Sequence, residues 1–324
     1  VSKSNLPSFR PLLQKALAKR AALGETCTAF RALNGLVDGL EGVAIDLYGS
    51  HVQLQFFDRT WFWCEDELVR SIIDVYKPQF LVVKERLDPS GKSLEKPQMR
   101  VVYGADVSSS TIVREGVCSF SVDLLDTVNP GLFLDMREQR LALAPLCAGG
   151  ELLNLFCYTG SFSVHARKAG ATRAVNVDVS GKILDRVRAN YELNQIEPLK
   201  GEFFKGDATE YLEYAVRKGL LFQTVVLDPP SFSRSERGVF QVKAHLQSLA
   251  RIGALVTAPG GHFFVSTNHS EYNPTMLVQE SVEWIAAAGR KAEVVRSGSQ
   301  GQDFPGAGRT RESSLSTVLL RMLP

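Results

Sequence analysis

The chain has 324 residues, 44% hydrophobic and 22% charged, with a formal net charge of +2. That composition is globular, gives no strong global field, and leaves length for one large domain and a smaller one. No apolar run approaches the roughly 18 residues of a membrane span, no signal peptide is visible, and the five cysteines show neither CxxC pairs nor Cys/His metal spacing. The expectation is a cytoplasmic protein with reduced thiols, no metal and no membrane partner.

The first twenty residues carry Lys3, Arg10, Lys15, Lys19 and Arg20 and no acid. Such a segment either tracks phosphates or is a solvated helix face. Leu12, Leu13, Ala16 and Leu17 fall at helical spacing, which predicts one helix over 9–22 inside a basic segment, 1–24. From residue 25 the texture changes. "FRALNGLVDGLEGVAIDLYGSHVQLQFF" alternates strand-like runs with Asn-Gly, Asp-Gly and Gly-Ser turns. "QFLVVKER" continues as a strand, "LDPSGKSLEKPQ" reads as a polar connection, and "VVYG" and "TIVREGVCSFSVDLL" read as more strand. Residues 25–115 are therefore expected to form a small strand-rich domain, with 116–324 a second domain.

From residue 151 strand and helix alternate: "ELLNLFCY", "SFSVHARKA", "RAVNVDV", "SGKILDRVRANYELN", "GEFFKGD", "ATEYLEYAVRKG", "QTVVLDP", a helix over "VFQVKAHLQSLARIGALVTA", then "GHFFVSTN" and "NPTMLVQESVEWIAAAG". "KAEVVRSGS" and "SSLSTVLLRM" close the chain as an expected antiparallel pair. Strict alternation means an α/β fold with a parallel, doubly wound sheet.

Ligands bind such sheets at the carboxyl ends of the strands. The first strand runs into "NLFCYTGSFS", where Gly160 lets the backbone approach a ligand. No GxGxxG is present, so a dinucleotide cradle is missing. The second strand ends in Asp178, suited to the hydroxyls of a ribose. The third ends in Asp207, suited to an adenine amine, and the fourth in Asp228. Three acidic strand ends around one glycine turn suit S-adenosylmethionine, whose sulfonium is cationic. Taken singly, each Asp is as readily the N-cap of the next helix.

"LNLFCYTGSFSVHA", "VDVS", "LDPPSFS" and "GLFLDMREQR" resemble the bacterial 23S ribosomal RNA base methyltransferases of the cytosine-C5 and guanine-N7 group. "FRALNGLVDGLEGVAIDLYG" is similar to a stretch of that family's central β domain. The resemblance covers about residues 25–324. It implies a seven-stranded class I methyltransferase sheet, Rossmann-like, with an antiparallel last strand, plus the small N-terminal strand-rich α+β domain. It implies that Asn154, Phe156, Tyr158, Thr159 and Gly160 line the methionine end of the cofactor, that Asp178 holds the ribose with support from Ser180 and Asn190, and that Asp207 reaches the adenine. Arg137 of "FLDMREQR" is expected near the cofactor, and Asp228 serves both cofactor and reaction. Many family members carry an N-terminal PUA domain. Nothing before residue 25 has that length, so RNA docking is expected to be arranged differently.

The modified atom divides the family. Cytosine C5 is a poor nucleophile, and its enzymes first add a cysteine thiolate to C6. The cytosine members keep that cysteine on the fifth strand, where "FVSTNHS" has Thr267. Guanine N7 has a free lone pair and needs mainly alignment. Its enzymes resemble this chain at Asn268, in "YTGSFSVHA", in "GLFLD" and in "GSQGQDFPG". The expected reaction is methylation of a guanine N7 in 23S rRNA or its precursor, with another base nitrogen or cytosine C5 as alternatives.

A base in folded RNA must swing out of its stack. In "LDPPSFSRS", Asp228 is expected to read its edge, Pro229 and Pro230 to stiffen the segment, Phe232 to take its face and Arg234 to meet phosphate. Asp303 and Phe304 are expected on the substrate side. A methyltransferase of small molecules or proteins, and a non-catalytic RNA-binding assembly factor, are the rival readings. Oligomeric state is left open between monomer and homodimer.

Overall fold

The computed structural model describes residues 9–87, 93–127, 129–230, 232–235, 238–269, 271–298, 300–306 and 315–324. The chain folds into two compact units. One comprises residues 1–135 with 301–306 and 310–312, the other 136–300 with 307–309 and 313–324.

The first unit opens with α1 (Phe9–Ala18) and α2 (Ala21–Thr26), so the single helix expected over 9–22 breaks after Ala18. Phe9, Leu13 and Ala16 fall on one face of α1 and are buried. They pack on a five-stranded sheet, β1 (Ala29–Asn34), β2 (Val43–Tyr48), β3 (His51–Phe56), β4 (Phe80–Leu87) and β5 (Ser93–Tyr103), in that spatial order. β3 and β4 are parallel. A parallel pair needs a crossover, supplied by α3 (Glu65–Tyr76), which buries Leu68 and Ile72 in the same core. "SLEKPQ", expected to be connection, belongs to β5. Pro97 is tolerated there because β5 is an edge strand. A hairpin of β6 (Ser110–Glu115) and β7 (Cys118–Asp123) completes the unit.

Strand alternation gives this sheet two unlike faces. Val43, Ile45, Val52, Leu54, Leu81 and Val83 meet the helices. The opposite face is polar and buried. Arg31 forms a two-pronged ion pair with Asp46 at 2.8 and 3.1 Å, and Gln55 donates to the same carboxylate. Arg86 donates to Gln55 at 2.9 Å. Lys84 lies beside Gln55 on β4, only 1% exposed.

The second unit begins with α4 (Arg137–Leu143) and carries β8 (Glu151–Leu155), α5 (Ser161–Lys168), β9 (Arg173–Asp178), α6 (Gly181–Leu193), β10 (Phe203–Lys205), α7 (Ala208–Lys218) and β11 (Phe222–Leu227). Then come a hairpin of β12 (Phe232–Ser235) and β13 (Gly238–Gln241), α8 (Val242–Val256), β14 (Thr257–Thr267), α9 (Pro274–Ala287), β15 (Ala292–Gly298) and β16 (Ser316–Met322). The sheet order is β10-β9-β8-β11-β14-β16-β15. Only β16 runs against its neighbours, so this is the seven-stranded class I sheet that the resemblance implies. Helix starts follow local chemistry. Ser180, Asp207 and Asn273 each accept a backbone N–H as N-caps, and Pro274 occupies the first turn of α9. Leu153, Leu155, Val175, Val225 and Leu227 lie within one core with α7, α8 and α9.

Burial, with Arg86 nearby, pushes the Lys84 pKa down to about 8, against the opposing pull of Asp46 and Asp126. The unfolded chain keeps that proton to about pH 10.4. Between those values the unfolded state binds more protons, so stability rises with pH. Urea midpoints at rising pH should show the gain, and Lys84→Met should abolish it.

Candidate active site

Three parallel strands bring the site to one edge of the second unit's sheet. Leu155 of β8 is paired with Val177 of β9 and with Leu227 of β11. The residues that follow these aligned positions are Phe156, Asp178 and Asp228. Asp178 is the last residue of β9, paired with Lys205, and Phe156 and Asp228 lie just past β8 and β11, so all three stand at the sheet's carboxyl end, where open parallel sheets hold ligands.

The turn after β8 is strained and held. Phe156, Tyr158 and Gly160 have φ of +56°, +46° and +75°. Left-handed backbone at a non-glycine residue costs on the order of 1–3 kcal/mol and persists where the surroundings fix it. Here the Cys157 N–H donates to the Val177 carbonyl at 3.0 Å, and the Gly160 N–H to the Cys157 carbonyl at 2.9 Å. The Asn190 amide donates to the Thr159 carbonyl at 2.9 Å. Asn154 is buried and donates to Ser163 at 3.0 Å, fastening β8 to α5. Arg186 lies over the Tyr158 ring at 5.6 Å.

The Asp178 carboxylate is half-buried. It accepts the Ser180 N–H at 2.9 Å and the Tyr158 N–H. Burial raises its pKa, and those two N–H bonds offset only part of the rise. Ser180 caps α6 through the Ile183 N–H. Asp207 caps α7 through the Thr209 N–H at 2.8 Å, and its neighbour Gly206 donates to the Asp178 carbonyl at 3.0 Å. Asp207 is thus an N-cap, two residues beyond the end of β10. Arg137, the first residue of α4, is buried.

Asp228 is half-buried and accepts a 2.6 Å hydrogen bond from the Ser266 hydroxyl. Sequence reasoning missed Ser266. The pairing of Leu227 with Val265 puts Ser266 beside Asp228, and that register is not written in either strand alone. Pro229 is buried and Pro230 exposed. Phe232 and Arg234 stand on β12, paired across the hairpin with Gln241 and Val239, so they extend from a strand where a loop was expected. Their side chains, and Ser231 and Arg237 entirely, lie outside the described residues.

At the end of β14, Thr267 is buried and takes the His269 N–H, while Asn268 is exposed. Asp303 and Phe304 belong to the first unit. There Asp303 accepts the Arg31 N–H at 3.0 Å, and Arg31 stacks on the Phe304 ring at 4.4 Å. All five cysteines are buried. Burial, with Asp178 alongside, holds the Cys157 thiol well above its ordinary pKa, and burial pushes Cys147 up to about 11. Among the described residues, no group of three His, Cys, Asp or Glu side chains is placed to hold a metal, and no helix is long and apolar enough to cross a membrane.

This edge offers carboxylates for hydroxyls, an amine and a cation, around a turn of fixed backbone. The profile of the family described as S-adenosylmethionine-dependent methyltransferase matches residues 76–306. The chain belongs to that family. This methyltransferase is 32% identical to the Bacillus subtilis protein YwbD over 270 residues, which is 82% of this chain and 67% of the relative. It is 30% identical over 292 residues to the ribosomal RNA large subunit methyltransferase I of Aeromonas hydrophila, covering 89% of this chain and 72% of that one. A solved structure complexed with SAH matches it at a TM-score of 0.85 and 26% identity, over 99% of this chain and 83% of the other. The cofactor of the methyltransferase is S-adenosylmethionine. The half-exposed Asp178 carboxylate, beside a turn that buries no charge of its own, fits a cationic nucleoside.

A Cβ added at Gly160 would lie 2.5 Å from Cγ1 of Val187, with the backbone at φ +75°. Gly160→Ala should therefore destabilise the fold by about 1–3 kcal/mol and weaken S-adenosylmethionine binding, measurable by urea unfolding and calorimetry.

Proposed function

We propose that this methyltransferase transfers the methyl group of S-adenosylmethionine to N7 of a guanine in large-subunit ribosomal RNA, in the cytoplasm. The name of the Aeromonas hydrophila relative supports the substrate class. The choice of atom rests on one observation. The carboxyl end of β14 carries a buried threonine, Thr267, where covalent cytosine chemistry needs a thiolate. Cys157, at the same edge, is buried with its thiol held protonated. A ring nitrogen with a free lone pair needs neither a thiolate nor a base, only alignment with the methyl group and exclusion of water.

In this reading the bound cofactor supplies a methyl on a cationic sulfonium. The Phe156–Gly160 turn, backed by Asn154, lines its methionine end, with Arg137 nearby. Asp178 accepts from the ribose hydroxyls, and Asp207 from the adenine amine. Ser266 orients the Asp228 carboxylate, which accepts from an N–H on the guanine edge. Asn268 borders the base, Phe232 stacks on its face, and Arg234 meets phosphate. Stacking repays part of the few kcal/mol spent in flipping the base out.

Nucleoside mass spectrometry of ribosomal RNA from cells with and without the gene decides the atom. Loss of 7-methylguanosine is expected; loss of 5-methylcytosine with 7-methylguanosine unchanged would reject the reading. Phe232→Ala should lower kcat/KM for RNA about 5- to 150-fold, the equivalent of roughly 1–3 kcal/mol of stacking, with cofactor affinity unaltered. Asp178 should impose a pH dependence. Its raised pKa means that protonation begins above the ordinary carboxylate range, so cofactor affinity should fall as pH is lowered into that region. Calorimetry should show the dependence flattened in Asp178→Asn.

A further inference from the structure

We propose that a groove on the first unit, between α1 and the turn after β1, is a docking track for the ribose–phosphate backbone of the RNA substrate. This rests on the RNA reading above and adds a binding surface to it. The groove encloses about 510 Å³. Lys15 and Lys19 form one wall; Leu36 and Val37, 59% and 43% exposed, belong to the other.

The charge of the groove favours a polyanion. α1 has no acid in its sequence, and Lys15 and Lys19 sit one helical turn apart with both side chains exposed. Like charges at that spacing weaken a helix unless something between them is negative. Asp38 also lines the groove, but its side chain is 0% exposed and is held by Lys19 at 2.8 Å and Arg20 at 2.6 Å. Arg20 is buried and lies outside the lining, so the groove itself sets two lysines against one carboxylate that is already paired. Arg10 is already matched by Asp74.

The lining also selects among polyanions. Among the described residues it contains no aromatic ring on which a base could stack. Aliphatic Leu36 and Val37 suit the carbon faces of ribose, and two lysines one turn apart suit phosphates. Such interactions supply affinity and register, not sequence choice. An anionic membrane fits less well. A helix lying in a bilayer surface must offer its apolar face, and in α1 that face, Phe9, Leu13 and Ala16, is already committed to the unit's own core.

The test is fluorescence anisotropy of the full chain with a labelled single-stranded RNA of mixed sequence over a range of salt. Lys15→Glu should raise Kd several-fold and reduce the log–log salt slope by about 0.7 for each phosphate that is no longer neutralised. Leu36→Asp, which leaves the lysines in place, should also raise Kd. Unchanged cofactor affinity and thermal midpoint would show that both variants fold. An unaltered Kd and salt slope in Lys15→Glu overturns the proposal. So does binding to phosphatidylserine vesicles that Lys15→Glu abolishes while RNA affinity stays. Methyl transfer to RNA is scored separately. Wild-type protein that binds RNA through this groove but methylates none would sink the substrate reading alone. Wild-type protein that methylates RNA while Lys15→Glu binds normally would sink the groove alone.

Discussion

The parallel pairing of β8 with β9 and β11 is the constraint from which the site follows. Parallel strands in register bring their carboxyl ends to one edge, and the residues at those ends share it. Phe156, Asp178 and Asp228 share that edge because Leu155, Val177 and Leu227 are aligned. No side-chain attraction gathers the three. Two of them are carboxylates, which repel, and burial already disfavours the ionised form of Asp178. Backbone hydrogen bonding of the sheet holds them against that cost.

Much of the second unit was legible, because a βα unit writes itself twice, in its apolar periods and in its caps. Ser180, Asp207 and Asn273 mark helix starts in the sequence and are N-caps in the structure. Gly160 could be singled out, since only glycine suits both its φ and its distance from Val187. The left-handed turns at Phe156 and Tyr158 could not, because nothing in those side chains signals positive φ. Ser266 was hidden for another reason: its importance is a matter of register between two strands 38 residues apart. The β12–β13 hairpin was missed because "SRSERG" is a polar stretch without an Asn-Gly or Asp-Gly signal.

The first unit was harder to read. Its strands were recognisable, but their directions were not. The hairpin signals marked turns and gave no sign of the parallel pair bridged by α3. The first half of β5 was read as a connection because proline and charge usually mark one; at a sheet edge they mark protection from further pairing. The polar and charged side chains of that face are the other surprise. Arg31, Asp46, Gln55, Lys84 and Arg86 stand on strands at alternating positions that sequence logic gives to solvent. The sheet keeps them buried by satisfying them against one another, which makes that face specific at the expense of tolerance to substitution.

The segment 301–306 follows β15 in the chain, yet packs with the first unit. Asp303 takes the Arg31 N–H, the Asp303 carbonyl takes Arg20, and the Pro305 carbonyl takes Asn34. The first unit is therefore not a contiguous stretch of gene. A fragment ending at Asp135 would leave the Arg31 N–H and the Asn34 amide facing vacated acceptors. Recombination cannot lift this unit out, or replace it, with a single crossover. The segment lies between β15 and β16, so further breakpoints would have to fall inside the sequence of the catalytic sheet itself, which ties the inheritance of the small unit to that of the enzyme.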